Sequence, residues 1–182
     1  TPLVAAHRER RRDGDRKRRQ QRLGDAVKVK IIGVGTRMPD WVTAGVDEYQ
    51  RRLPSEFCPQ LIEVPLGARR RGQALDKAIE KESLGLLKHI NKGDYVVALD
   101  VLGRSMNTEQ LAGKLLDWQR EGDALCFLIG GPDGLSSACS KRANLRWSLS
   151  DLTLPHPLVR IVLMEQIYRA WSVNARHPYH RY

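Results

Sequence analysis

Residues 124–134 read ALCFLIGGPDG, six apolar residues that run straight into a glycine-rich turn. A run of that length without a polar face predicts a strand buried on both sides, as in the centre of a parallel sheet. The turn that follows, Gly130-Gly131-Pro132-Asp133-Gly134, sits at the carboxyl end of this strand and ahead of a short helix expected over residues 136–142. Open α/β sheets bind ligands at that edge, and paired glycines let a ligand approach backbone N–H groups. The same Gly-Pro-Asp-Gly would also make a tight turn with no ligand at all. On its own the motif leaves both readings open.

Working outward, the chain alternates between strand and helix patterns. Residues 28–34 (KVKIIGV) and 60–64 (QLIEV) read as strands, and residues 94–99 (DYVVAL) as a second near-continuous apolar strand. Pro39 and Asp40 open a helix with Trp41, Val42, Val46, Tyr49 and Leu53 at helical spacing, ending before Pro54. Residues 73–90 have helical periodicity, with Leu75, Ile79, Leu86, Leu87 and Ile90 as the expected buried stripe. Thr108 is the expected cap of a helix running to Trp118, with Glu109 in its first turn. A strand is expected near residues 146–149 and a long helix from Pro157 to about Asn174. Strands separated by helices predict an α/β domain with a mostly parallel sheet.

Composition bounds the partners. The 182 residues suit one domain with a real core. The net charge is +10, and residues 1–26 hold nine Lys/Arg against four Asp/Glu, so half of the excess lies in a basic extension. Residues 8–22 (RERRRDGDRKRRQQR) have almost nothing to bury and are expected to be disordered in isolation. They read either as an arm for RNA phosphates or as a solvated tail, and a domain pattern begins abruptly at Val27. If Val27 were an initiator, the mature chain would open on its first strand. We therefore divide the sequence into a basic extension, 1–26, and a single domain, 27–182. Cys58, Cys126 and Cys139 are sparse, odd in number and form no C-x-x-C pair, which argues against a disulfide framework or zinc site and suits a cytoplasmic, soluble protein. No apolar run approaches the roughly 18 residues needed to span a bilayer.

Four further segments bear chemistry. Gly33-Val34-Gly35 follows the first strand, but the third glycine of a dinucleotide fingerprint would fall at Met38, which demotes that reading. The loop Leu149, Ser150, Asp151, Leu152, Thr153, Leu154 alternates apolar and small polar residues and is stiffened by Pro155 and Pro157. Such a loop can clamp a flat base between its leucines while backbone groups bond its edge. The helix after it is apolar nearly all round, which requires burial on several sides and points to a subunit interface. Glu165 and Arg169 on that helix are spaced to pair with each other. The terminus concentrates His177, Tyr179, His180 and arginines, a mixture able to stack on and bond an unpaired base.

Together these segments resemble the RlmH (YbeA) family of SPOUT-class methyltransferases. The resemblance runs from about Lys28 to Arg181 and is carried by VGTRMPDW at 34–41, EYQRRLP at 48–54, IEVP at 62–65, LIGGPDGL at 128–135, WSLSDLTLPHPLVRIVLMEQIYRAWS at 147–172 and HPYHR at 177–181. It implies a parallel α/β fold with a C-terminal trefoil knot, one of the rare exceptions to unknotted topology. It also implies a homodimer using S-adenosyl-L-methionine and no metal to methylate N3 of pseudouridine 1915 in 23S rRNA of the ribosome, with no membrane or DNA partner. Carried over by position, cofactor contacts fall at Leu99, Gly130 and Leu149, Ser150, Asp151, Leu152, Thr153 and Leu154. Methyl transfer needs in-line alignment, and the N3 imide must lose a proton. His177, Tyr179 and His180 are the candidate groups for the proton, and Arg160 or Arg169 for stabilising charge on the base. The competing classes are a non-catalytic ribosome-binding module, which leaves the 149–154 loop idle, and a nucleotide-cofactor oxidoreductase, which lacks its third glycine.

Overall fold

The computed structural model describes residues 28–72, 74–121 and 123–181; the basic extension, 1–26, lies outside them. Its order is β1 (Lys28–Val34), α1 (Asp40–Gln50), β2 (Gln60–Val64), α2 (Leu75–Leu87), β3 (Tyr95–Ser105), α3 (Thr108–Glu121), β4 (Ala124–Ile129), α4 (Ser137–Arg142), β5 (Leu145–Ser148) and α5 (His156–Asn174). Short 3-10 turns occupy Ser55–Phe57 and Pro178–Arg181. The five strands form one all-parallel sheet in the order β2-β1-β4-β3-β5. β4, the opening apolar run, is buried at every residue and lies between β1 and β3, as a strand with no polar face must.

Alternate residues of the central strands feed two cores, because successive side chains of a strand point to opposite faces. Ile31, Leu125, Phe127 and Ile129 pack with Val46, Leu115, Trp118, Leu163 and Ile167 beneath α1, α3 and α5. Ile32, Leu128 and Cys126 pack with Leu86 and Cys139 beneath α2 and α4. Helix α5 lies between α1 and α3, and every residue from 156 to 173 is buried or half-buried. Its apolar circumference is thus largely covered within one chain, by the sheet, two flanking helices and the folded-back C-terminal turn, and does not by itself require a partner.

Several local expectations are corrected. Helix α3 is capped by Asn107 rather than Thr108. The Asn107 Oδ1 accepts the Gln110 N–H at 2.8 Å and Gln110 Oε1 accepts the Asn107 N–H at 3.0 Å, a reciprocal box that satisfies two donors at once. Trp41 and Leu75 are 57% and 46% exposed. On α2 the buried face runs through Ala78, Glu82, Ser83 and Leu86, a rotation that brings a carboxylate inward. β3 is longer than expected, because its pairing with β5 resumes after an excursion: both Leu99 and Arg104 stand opposite Trp147. At Gly103 a Cβ would lie 2.7 Å from backbone atoms of Arg146 and Trp147, so only glycine allows the excursion to close against β5.

Candidate cofactor and active site

A cavity of about 700 Å³ opens at the carboxyl edge of the sheet, a size typical of small-molecule sites. Its walls are residues 99–101 of β3, residues 129–132 and 134 of the glycine turn, residues 148–150 and 152–155 after β5, and His156, Pro157 and Val159 of α5. The turn is closed by the Gly134 N–H donating to the Gly131 carbonyl at 3.0 Å. A Cβ on Gly130 would stand 2.6 Å from the Gly134 carbonyl carbon, so the turn folds this tightly only without one. The loop after β5 is braced from within: the Ser148 hydroxyl donates to the Ser150 carbonyl at 2.9 Å, and the Ser150 Oγ accepts the Leu152 N–H at 3.0 Å.

The excursion of β3 delivers Asp100 to the wall. Burial opposes ionisation of Asp100, but the Leu102 N–H and the Arg146 guanidinium, 2.7 Å away, outweigh it and hold the carboxyl below its ordinary range. Asp100 is therefore an anion already committed to a cation.

Behind the cavity lies a buried polar layer. Arg160, 1% exposed, donates from one terminal nitrogen to the Val34 carbonyl at 3.1 Å and the Gly35 carbonyl at 2.7 Å, and pairs with Glu63 at 3.5 Å. Burial pulls its pKa down against the pull of Glu63, yet a guanidinium stays charged. Glu82 of α2 reaches beneath the glycine turn, where its Oε1 accepts the Gly67 N–H at 2.9 Å and Arg69 at 2.6 Å. Arg69 in turn holds Asp133 at 2.8 Å. The second Glu82 oxygen is buried without a hydrogen-bond partner among the described residues. His156 sits between this layer and the cavity. Burial lowers its pKa, Arg160 and Arg69 push the same way, and Glu82 opposes them.

The C-terminal turn forms a separate cluster at the other end of α5. Arg176 adopts φ 55 and reverses the chain, with the His177 N–H donating to the Ser172 carbonyl at 2.8 Å and the Arg176 N–H to that of Val173 at 3.2 Å, the Schellman arrangement. Tyr179 then lies against Tyr168 at 4.5 Å between ring centroids and donates its hydroxyl to Glu165 at 3.1 Å. Glu165 also accepts from Arg169 at 2.9 Å, the expected i,i+4 pair. Burial and the Glu165 carboxylate push the Tyr179 phenol up to about 12, which makes it a donor at neutral pH. His177 packs against Tyr168 and Trp171, and the His180 Nδ1 is buried without a partner among the described residues.

Leu99, Gly130, Leu149, Ser150, Leu152, Thr153 and Leu154 thus meet around one cavity, whereas Asp151 lies outside its lining. Arg169 and Tyr179 touch, but Arg160 is nine residues from Arg169 on α5 and serves the end of β1. Sequence reasoning missed Asp100, Glu82 and His156. Glu82 was detectable as a charged residue spaced four from both Ala78 and Leu86. His156 stood in plain view between two prolines, overshadowed by the histidines of the terminus. Among the described residues no group of three or more His, Cys, Asp or Glu is placed to hold a metal ion, and no helix is long and apolar enough to cross a membrane.

An all-parallel sheet with a glycine-turn cavity at its carboxyl edge, walled by the loop after the last strand, is an α/β arrangement of the SPOUT methyltransferase type. The family profile described as "Predicted SPOUT methyltransferase" matches residues 27–180, and the chain belongs to that family. Two relatives called "Ribosomal RNA large subunit methyltransferase H" match along their whole length and 85% of this chain. The one from Saccharophagus degradans is 52% identical over 155 residues, and the one from a Marinomonas species is 49% identical over 155 residues. Among solved structures, a probable methyltransferase from Bordetella pertussis Tohama I superposes with a TM-score of 0.51 at 14% identity, covering 83% of this chain and 98% of its own. A probable methylase family protein from Haemophilus influenzae superposes with a TM-score of 0.50 at 10% identity, covering 84% of this chain and 70% of its own. At such identities the structures speak for the fold alone.

Proposed function

We propose that this chain transfers a methyl group from S-adenosyl-L-methionine to N3 of pseudouridine 1915 in 23S rRNA, acting on the ribosome as a cytoplasmic homodimer, with residues 27–182 as its single catalytic domain. The observation that carries this reading is the cavity at the sheet edge. Seven of the eight residues expected to hold the cofactor line it, although they come from three distant stretches of chain. Its leucines offer flat apolar faces for a purine, and the open glycine turn offers backbone groups for polar edges. The donor supplies an activated methyl on a sulfonium; the protein's part is to align that methyl with the base and to manage the N3 proton.

The relatives' names supply the ribosomal substrate. Exposed Arg70 and Arg71, next to Arg69, extend a cationic surface from the glycine turn toward a phosphate backbone, and the C-terminal cluster offers stacked aromatic rings and cations. Arg169, His177, Tyr179 and His180 are read as groups that place the base, in this chain's own site or in the partner's. Arg160 is read as a positioning residue, because one terminal nitrogen grips the Val34 and Gly35 carbonyls and the other pairs with Glu63.

The test is methyl transfer from labelled S-adenosylmethionine to assembled ribosomes, free 23S rRNA, and ribosomes lacking the pseudouridine. Label entering N3 of that pseudouridine in ribosomes, with none in the control, is the expected result. Cofactor binding without transfer to any of them refutes the substrate. Absence of cofactor binding refutes the enzyme and favours an RNA-binding protein.

A further inference from the structure

The reaction must dispose of the N3 proton, and the cavity wall contains two titratable side chains, Asp100 and His156. Asp100 is held ionised by the Arg146 cation and the Leu102 N–H, so it is a poor proton acceptor. The phenol of Tyr179 is a donor. His156 differs from both. Neither of its ring nitrogens has a hydrogen-bond partner among the described residues, although it is half-buried at the first turn of α5. A half-buried imidazole that lines the cavity with no protein hydrogen-bond partner is available to bond a ligand there.

We propose that His156 is the proton acceptor of the methyl transfer. This rests on the reading above, that N3 of a pseudouridine is methylated in this cavity. As N3 attacks the methyl carbon, the new N–C bond takes the electron pair that bound the N3 proton, and the proton passes to a neutral imidazole nitrogen of His156. The C–S bond breaks and its pair returns to sulfur, which becomes a neutral thioether. The positive charge that entered on the sulfonium leaves on the imidazolium, which releases its proton to solvent.

The groups facing the ring fit this role. Arg160 on its own helix and Arg69 on the loop before α2 disfavour its protonation, while Glu82 of α2 favours it. Glu63 of β2 reaches the site only through its pair with Arg160, and Asp133 through its pair with Arg69. Glu82 also has an oxygen with no hydrogen-bond partner among the described residues, an anion able to offset the imidazolium as it forms. The ring therefore starts neutral at physiological pH and need hold the proton only during turnover.

The experiment compares the full chain with His156→Gln and His156→Asn. Melting temperature and calorimetric S-adenosylmethionine affinity establish that each variant folds and binds. Single-turnover methylation of ribosomes is then followed against pH, and the ring of His156 is titrated by NMR, assigned by its loss in the variants. Because the shift is downward, the ring should titrate below 6.5, and the wild-type rate should fall as pH drops through the same value. Both variants should lose at least about 100-fold in turnover, far more than in cofactor affinity, and should lose this acid limb, whereas His180→Ala keeps it. A variant with near-normal turnover, an acid limb surviving in His156→Gln, or a ring titrating at or above 6.5 overturns the assignment while wild-type activity upholds the function. A wild-type chain that methylates no ribosomal substrate overturns the function and this inference with it.

Discussion

The two ends of helix α5 use similar residues to opposite effect. At its start, His156 and the nearby Glu82 oxygen are half-buried or buried without hydrogen-bond partners among the described residues, beside a cavity. At its end, Glu165, Arg169 and Tyr179 bond to one another and to the stacked rings around them. Glu165 lies nine residues from His156, which at 1.5 Å per residue is about 14 Å along the axis. A polar group kept waiting inside a protein costs stability and is retained where a ligand will satisfy it, whereas a self-satisfied cluster holds its own geometry. The first end, where His156 and the Glu82 oxygen stand beside the cavity, therefore reads as reaction chemistry. The second, where the ring and ion-pair cluster is bonded within itself and the His180 Nδ1 alone is left buried without a partner among the described residues, reads as a platform.

The largest effect that tests this contrast comes from the layer beneath the cavity. Arg160→Met should strip the Val34 and Gly35 carbonyls and Glu63 of their shared cation, lowering stability by about 3 kcal/mol in urea unfolding. An unchanged midpoint would show that the first end of α5 is held by something else. Next, Gly130→Ala should weaken S-adenosylmethionine binding at least about tenfold, the equivalent of the 1–3 kcal/mol overpacking penalty, because its Cβ meets immovable backbone. Calorimetry reads this directly. Normal affinity would dissociate the glycine turn from the ligand.

At the other end, His180→Ala should lower turnover clearly more than it alters cofactor affinity, the outcome expected of a platform that places the RNA as proposed. Equal kinetics would remove it from the reaction altogether. Tyr179→Phe deletes one hydrogen bond to Glu165 and should cost about 1 kcal/mol in the same unfolding experiment. The smallest effect is expected at Arg176, whose φ of 55 is strained for a residue with a side chain. Arg176→Gly should raise stability by about 0.5 kcal/mol, the relief of the left-handed conformation less the greater freedom of glycine in the unfolded chain. Destabilisation instead would mean that the arginine side chain helps to anchor the turn.

Much of this architecture was readable in advance. β1, β2 and β4 match the strands marked by their apolar, β-branched runs, since those runs express burial on the two faces of a sheet directly. The loop after β5 stood out through its prolines. What escaped notice has particular causes. Trp41 and Leu75 satisfied the helical period but lie at helix starts that overhang the core. Asp151 shared a loop with true cavity residues yet stands outside the lining, at the exposed tip of a turn braced by Ser148 and Ser150. The all-round apolar character of α5 is met in part by two helices of its own chain, while Leu158, Val159, Ile161 and Val162 stay half-buried.

The sequence by itself determined the alternation of strands and helices, the glycine turn at the carboxyl edge of the sheet and membership of the SPOUT methyltransferase family, because these reside in local periodicity and in contiguous motifs. Only the tertiary structure decided which groups converge there. Arg160 grips the end of β1 from 126 residues away, Glu82 reaches under a turn anchored by Arg69 and Asp133, and residues 100–103 leave the ladder so that Asp100 and Val101 wall the cavity. Such meetings depend on sheet order and on the return of α5 across the sheet, and no local propensity records them.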